Sequence, residues 1–489
     1  MAFKNKVQLI TYPDSLGGNL QQLNDVLLRY FPDVFQGGVH ILPPYPSSGD
    51  RGFAPLTYLE IEPDFGSWQD IRAISSQHDI MLDLMVNHIS RQSPWFQDFL
   101  RNGRHSRFAD LFLPLDKIWP GGKPDQKDME KIFLRREQPF SSYRIESTGE
   151  EETLWTTFGK VTPSEQIDLD VNSPATRSLM KEFLANFSRN GIRFLRLDAI
   201  GYVIKKPGTS CFFVEPEIDE FLAWIAGEAR ALGIEVLPEV HAHYSTQFSL
   251  ADKGYWIYDF ILPYLVLETL LTRHSGKLLD YLRTRPHRQC TMLDCHDGIP
   301  VKPDLDDIVS TRDAEAVVAA CLQRGANLSR IFSPSHRSSD GFDVHQIRCA
   351  YYSMLDCDDD AYLTARAIQF FTPGVPQVYY VGLLAGENDF QRVEETGEGR
   401  EINRHNYTID EIRHAVQKPV VQRLLHLIRY RNTHPAFDGE FSVLNSAPDE
   451  IRLQWQNGAN RCVLIVDLHT RKSVIESFDA GETLHRISV

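Results

Sequence analysis

The strongest constraint on this chain is an alternation that repeats eight times: a short apolar run with strand character, then a helix. The runs are VQLITY (7–12), GVHILP (38–43), IMLDLMVN (80–87), GIRFLRLDAI (191–200), IEVLPEV (234–240), WIYDF (256–260), CTMLDCHD (290–297) and VPQVYYV (375–381). The helices between them are well marked. SPATRSLMKEFLANFSRNG, ahead of the fourth run, has a Ser cap, Pro in its first turn and Gly at its end. Strands that alternate with helices predict a parallel sheet covered by those helices, and eight such units suit a TIM (β/α)8 barrel better than an open sheet.

Two intervals exceed a simple connection, one from Asn87 to about Asp170 and one from Gly298 to about Asp358. Both open at the C-terminal end of a strand, where barrel enzymes build their active sites. They are read as inserted subdomains at 87–171 and 299–358, which divide the barrel into 1–86, 172–298 and 359–438. After the helix PVVQRLLHLIRYRNTH the texture changes. EIRLQWQ, RCVLIVDL and SVIESF are short, alternating and joined by turn residues, which predicts a small antiparallel β-domain over 439–489. The expected fold class is therefore α/β, a TIM barrel with two inserted subdomains and a C-terminal antiparallel β-domain.

A net charge of −15 disfavours nucleic acid and anionic membranes as partners, while leaving room for an anionic substrate bound by local Arg or His. The N-terminus has no apolar signal region, and no stretch has the apolar length of a membrane span. Seven scattered Cys, an odd number, argue against a disulfide framework, so a cytoplasmic protein with reduced thiols is expected.

Polar residues gather at the ends of the proposed strands. The third ends in Asn87-His88, the fourth in Arg196 and Asp198, the fifth in Glu239 and His241, the seventh in His296-Asp297. Each has an ordinary explanation on its own: a turn-forming Asp, a satisfied buried His, or a metal cluster. In a barrel, however, these ends converge. Retaining glycoside chemistry needs an ionised carboxylate as nucleophile and a protonated one as acid, roughly 5–5.5 Å apart. Arg196 beside Asp198 predicts an ionised Asp198, since a cation lowers a carboxyl pKa. Glu239 follows VLP, an apolar setting that raises a carboxyl pKa as an acid requires. Asp297 could stabilise charge on the sugar ring or hold its hydroxyls. No metal or other cofactor is expected, because this cluster lacks metal-ligand spacing.

These residues resemble the α-amylase superfamily: DLMVNH, GIRFLRLDAI, VLPEVH and LDCHD look like its four conserved strand ends. The resemblance narrows to the sucrose phosphorylase branch through ITYPDSLGGNL, LPPYPSSGDRGFAP, LWTTFGK, EQIDLDVNS, RAIQFFTPGVPQVYYVGLLAG and GREINRHNY, and it covers most of the chain. It implies Asp198 as nucleophile, Glu239 as acid/base and Asp297 as transition-state stabiliser. It further implies Asp50, His88, Arg196, His296 and Arg404 on the glucosyl hydroxyls, Phe53 and Phe158 as an apolar floor, and Gln166, Tyr202 and His241 nearby. Pro238 departs from the familiar pattern, in which an aliphatic or acidic residue precedes the acid.

Members of the branch differ in acceptor. The plain sucrose phosphorylases carry Asp-Leu-Tyr-Gln where this chain has Asp343-Val344-His345-Gln346. A His in place of that Tyr resembles the members that act on sucrose 6′-phosphate, whose His grips the fructose phosphate. Arg135 is implied as a second phosphate ligand, although its equivalent in the plain members can meet inorganic phosphate. The implied small-molecule substrates are sucrose 6′-phosphate or sucrose, inorganic phosphate, glucose 1-phosphate and fructose 6-phosphate. The alternatives are unphosphorylated fructose or glycerol and glycerate acceptors, a hydrolase of the same fold, and a non-catalytic amylase-like chain. The ordinary explanation for His345 is a solvated loop residue.

Overall fold

The structure is a computed structural model that describes residues 3–333, 337, 341–478 and 484–489. All eight predicted runs contain a strand: β1 (Gln8–Thr11), β2 (Gly38–Ile41), β3 (Ile80–Met85), β4 (Ile192–Asp198), β5 (Glu235–Pro238), β6 (Ile257–Asp259), β7 (Gln289–Thr291) and β8 (Val375–Tyr379). They form one sheet in the order β6-β7-β8-β1-β2-β3-β4-β5, so all chain neighbours except β5 and β6 are sheet neighbours and the sheet is a nearly closed barrel. The helix before β4 runs Pro174–Arg189 with Pro at its start, and the Ser173 side chain accepts a hydrogen bond from Ala175 N.

The chain divides into two compact units, the first comprising Ile41–Val240 and Ile331–Asp343, the second the chain up to His40 with His241–Arg330 and Val344–Val489. In the first, β4 pairs with β3 and with β5 in parallel. Two buried tyrosines pin the end of β3: Tyr45 Oη donates to Asp83 O at 3.0 Å, and Tyr58 Oη accepts from Met85 N at 2.9 Å. The stretch after β3 holds two small antiparallel pairings. His88–Ser90 lies against Gln166–Asp168, and Phe140–Arg144 against Glu151–Trp155. His88, expected at the end of a barrel strand, instead begins a second short strand.

In the second unit, Gln369 on the helix Asp359–Phe371 donates to Thr291 O and Gln377 O, which holds β7 and β8 together where their backbones are buried. The buried pairs Arg285–Asp259 at 2.9 Å and Arg366–Asp294 at 2.7 Å anchor β6 and the segment after β7. Val344–Arg348 is the central strand of a three-stranded antiparallel sheet with Ile299–Pro300 and Asn327–Arg330. The C-terminal sheet, β9 (Glu440–Val443), β10 (Glu450–Asn457), β11 (Asn460–Asp467), β12 (Lys472–Phe478) and β13 (Leu484–Ser488), is antiparallel in chain order, as its alternation predicts. Ile451, Leu453 and Trp455 alternate inward on β10, as period-two side chains must. No helix among the described residues is long and apolar enough to cross a membrane.

Candidate active site

The fourth strand carries two charges, Arg196 and Asp198, at the end of a largely apolar run. Arg196 and Asp198 are two residues apart on β4 and so point to one side of it. The register sets Asp83 of β3 opposite Arg196 and Met85 opposite Asp198. Arg196 Nη1 donates to Asp83 Oδ1 at 2.6 Å and to Asp198 Oδ1 at 2.7 Å, while its Nη2 lies 2.7 Å from Glu239 Oε1. One guanidinium thus serves three carboxylates, and only 3% of the residue is exposed, so water does little of the screening.

Glu239 follows β5 directly, and its N–H donates to Leu197 O at 3.1 Å, which continues the β4–β5 pairing to the functional residue. Ala199, after Asp198, has φ 55° and ψ 24°. This left-handed conformation costs a residue with a Cβ roughly 1–2 kcal/mol. It directs the Ala199 N–H to Glu239 Oε2 at 3.3 Å, and the side chain packs in a buried cluster with Phe133, Tyr202 and Ile331.

The pKa of Asp198 shifts in the direction opposite to the one expected. Burial pushes its carboxyl up, to about 8, with Glu239 and Asp83 adding to the rise and Arg196 opposing it. The sequence shows the cation two residues away. It does not show that this cation is shared with two further carboxylates, and a single shared positive charge does not offset burial. Asp198 keeps 13% of its side chain exposed, so a reactant can reach it.

The remaining candidates in this unit surround those carboxylates or lie in the stretch after β3. His88 Nε2 is 2.9 Å from Phe53 O, so this nitrogen carries the hydrogen, and burial lowers the ring's pKa and keeps it neutral. Its Nδ1 is then a buried acceptor with no hydrogen-bond partner among the described residues, suited to a sugar hydroxyl. The Phe53 ring lies 5.7 Å from the Arg196 guanidinium. Phe158 contacts the His88 ring at 5.3 Å and that of Tyr202 at 5.0 Å. Arg135 stands 5.9 Å from both Phe158 and Tyr202, held by the negative faces of two rings. Asp50, with φ 49°, is 3.5 Å from Lys160 Nζ. Gln166 is buried opposite Ser90 on its short strand. Asp343 accepts from Ile331 N at 2.8 Å through its backbone oxygen.

Beneath these residues lies an internal ion site. Lys205 Nζ, buried, is 2.7 Å from Asp168 Oδ2 and 2.9 Å from Asn87 Oδ1, and it also donates to Tyr202 O. Asp168 in turn accepts from Thr157 N at 2.8 Å.

In the second unit, His296 and Asp297 lie beyond the end of β7 rather than on it. Arg404 Nε donates to His296 O at 3.0 Å, with its guanidinium 5.7 Å from the Tyr12 ring. Arg400 Nη2 is 3.3 Å from Asp297 Oδ1, and His296 Nε2 is 3.7 Å from Asp297 Oδ2. His241 stacks on Phe260 at 4.0 Å, with its ring 6.0 Å from that of His345. His345 is not a solvated loop residue: it is 2% exposed on the strand Val344–Arg348, and its Nδ1 is 2.6 Å from Lys302 O. Gln346, next to it, is equally buried.

Residues 11–241 match the alpha-amylase catalytic-domain family. A sucrose 6(F)-phosphate phosphorylase from Thermoanaerobacterium thermosaccharolyticum is 63% identical over 476 residues, 97% of each chain. The chain belongs to the α-amylase family, in its sucrose phosphorylase branch. A glucosylglycerol phosphorylase from Marinobacter adhaerens, in the same branch, is 43% identical over 488 residues, 99% of each chain. The crystal structure of the sucrose 6F-phosphate phosphorylase from Thermoanaerobacter thermosaccharolyticum matches this phosphorylase fold with a TM-score of 0.98 at 62% identity, covering 100% of this chain and 99% of that one.

Five residues escaped the reading of the sequence. Asp83 carried a signal, an acid inside the apolar run IMLDLM, the same anomaly that exposed Arg196. Asp168 and Lys205 meet from segments far apart in the chain. Arg400, on Asp297, sits in GREINRHNY beside the recognised Arg404. Asp304, fully buried near His241, carried no local signal.

Proposed function

We propose that this enzyme is a retaining glycoside phosphorylase that converts sucrose 6′-phosphate and inorganic phosphate into α-D-glucose 1-phosphate and fructose 6-phosphate. The observation that carries the reading is the Arg196 guanidinium held between Asp198 and Glu239, which fixes a nucleophile and an acid on adjacent strands. Asp198 attacks the anomeric carbon in its ionised form, as Glu239 gives its proton to the departing fructosyl oxygen. The glycosidic bond breaks, and a β-glucosyl ester forms on Asp198. A phosphate oxygen then attacks the same carbon, Glu239 takes the proton from phosphate, and the ester bond breaks, giving net retention. Asp297, with Arg400 beside it, stabilises the positive charge that develops on the ring. His88, Arg404, His296 and Asp50 hold the glucosyl hydroxyls over Phe53 and Phe158, with Gln166 and Tyr202 alongside.

Asp343, Gln346 and His241 serve the acceptor, with His345 and Arg135 on its phosphate. Support for the phosphorylated acceptor comes from the buried His345 and from the substrate named for the 63% identical relative. A cytoplasmic setting suits phosphorylated sugars and seven free cysteines. The test is a panel of fructose 6-phosphate, fructose, glycerol and glycerate with glucose 1-phosphate as donor. The highest kcat/KM is expected for fructose 6-phosphate. A preference for fructose makes the enzyme a plain sucrose phosphorylase, and turnover independent of phosphate makes it a hydrolase.

A further inference from the structure

Asp304 is a buried carboxylate that the reaction above does not use. It is 0% exposed, in the segment between Ile299–Pro300 and the helix Thr311–Gln323. Its Oδ1 accepts from Gln247 Nε2 at 3.1 Å and lies 3.5 Å from His241 Nδ1, while its Oδ2 has no hydrogen-bond partner among the described residues. Burial raises its pKa, and His241 is the largest influence that lowers it. A buried acid with so few partners is costly, so an imidazole beside it is its natural counter-charge.

The two imidazoles here are held by different acceptors. His345 Nδ1 faces a backbone carbonyl, Lys302 O, at 2.6 Å, and His241 Nδ1 faces a carboxylate. In both rings Nδ1 is turned toward the protein, so a hydrogen bond to a ligand must come from Nε2. A neutral ring protonated at Nδ1 has only a lone pair at Nε2 and cannot donate to a phosphate oxygen. A carbonyl fixes the tautomer but adds no charge, whereas a carboxylate also stabilises the imidazolium. Stacking on Phe260 restricts how the His241 ring can turn.

We propose that Asp304 is a positioning residue for the phosphorylated acceptor, acting through His241, which it orients by Nδ1 and supports as a cation. His241 then supplies charge for the sugar phosphate, and His345, whose ring direction the Lys302 carbonyl sets, donates from Nε2 only as the imidazolium. This inference rests on the acceptor reading of His345.

The test is the ratio of kcat/KM for fructose 6-phosphate to that for fructose, with glucose 1-phosphate as donor, in the wild type, Asp304→Asn, His241→Asn and the double variant. Asp304→Asn should lower the ratio about tenfold, chiefly through KM for fructose 6-phosphate, because one charge-assisted contact is weakened. His241→Asn should lower it at least as far, and the double variant no further, since both substitutions cut one connection. A folded Asp304→Asn whose ratio stays within about twofold of the wild type, or single losses that multiply in the double variant, overturns the proposal. Should Asp304→Asn fail to fold, nitrogen NMR of the wild type labelled in histidine decides. His241 protonated at Nδ1 is expected, and a neutral ring protonated only at Nε2 overturns the role. His345→Tyr measured alongside separates the two failures. A ratio unmoved by that change removes the acceptor reading, whereas a ratio lowered by His345→Tyr but not by Asp304→Asn removes Asp304 alone.

Discussion

Around Asp198, charge meets charge: Arg196 touches Asp83, Asp198 and Glu239, each at 2.6 or 2.7 Å. At His345, in the other compact unit, Nδ1 of the ring meets a backbone carbonyl, Lys302 O at 2.6 Å. The first arrangement sets how many protons the site holds, and its parts come from three strands that must be in register. The second sets the direction of one imidazole ring and leaves charge to be supplied elsewhere. Covalent chemistry depends on proton count, so its groups are embedded in the barrel sheet. On the proposed reading, selection of an acceptor depends on direction and rests on one strand of a small three-stranded sheet, where a single substitution should change it without disturbing the barrel.

The comparison breaks most sharply at Asp198. Asp198→Asn is nearly isosteric and should cut phosphorolysis by about four orders of magnitude or more, with no glucosyl-enzyme trapped in rapid-quench experiments. Substantial turnover by the folded variant would move the nucleophile to another residue. Glu239→Gln should slow sucrose 6′-phosphate by about a thousandfold but glucosyl fluoride far less, because fluoride leaves without a proton. Equal losses with both donors would reduce Glu239 to a structural partner of Arg196.

On the other side, His345→Tyr should lower the ratio of catalytic efficiencies for fructose 6-phosphate over fructose by roughly tenfold to a hundredfold, the weight of one charge-assisted hydrogen bond. Glucosyl-enzyme formation from glucose 1-phosphate should change little. A comparable loss in that step would mean that direction and proton count are not separable.

The smallest expected effect is on stability. Below the ordinary carboxyl pKa, Asp198 is protonated in both folded and unfolded chains and contributes no pH dependence. As the pH rises from about 4 towards 8, the unfolded chain releases the proton that the folded one retains, so folding is progressively penalised. Asp198→Asn lacks the proton, and its Tm advantage over the wild type should grow across that window, on the order of several degrees, then level off. A gap that stays constant would show that Arg196 offsets the burial of Asp198 after all.

Much of this was legible in the sequence because the barrel is written in local terms. Each strand is a short apolar run and each helix has its own punctuation, so all eight strands could be placed. Arg196, Asp198 and Glu239 stood out as charges at the ends of apolar runs. What stayed hidden depends on partners distant in the chain. Asp83 is 113 residues from Arg196. It turns a simple ion pair into a shared one and reverses the expected shift at Asp198. Asp304 reads as one acid among several in VKPDLDD, and its burial arises only from the packing of that segment. His345 was recognised by resemblance, but its fixed tautomer depends on the path of the backbone at Lys302.

Lys205 has a consequence for how the enzyme depends on its surroundings. Its ammonium gathers Asn87, Asp168 and Tyr202, that is, the segment after β3, a strand of the inserted stretch and the turn after the nucleophile. A positive charge tethered by its own side chain has no dissociation constant. Dilution does not empty this position, chelators do not strip it, and the supply of ions in the cell does not set its occupancy. Its availability is fixed when the chain is translated, and the turn that follows Asp198 is therefore braced by the genetic code rather than by the medium.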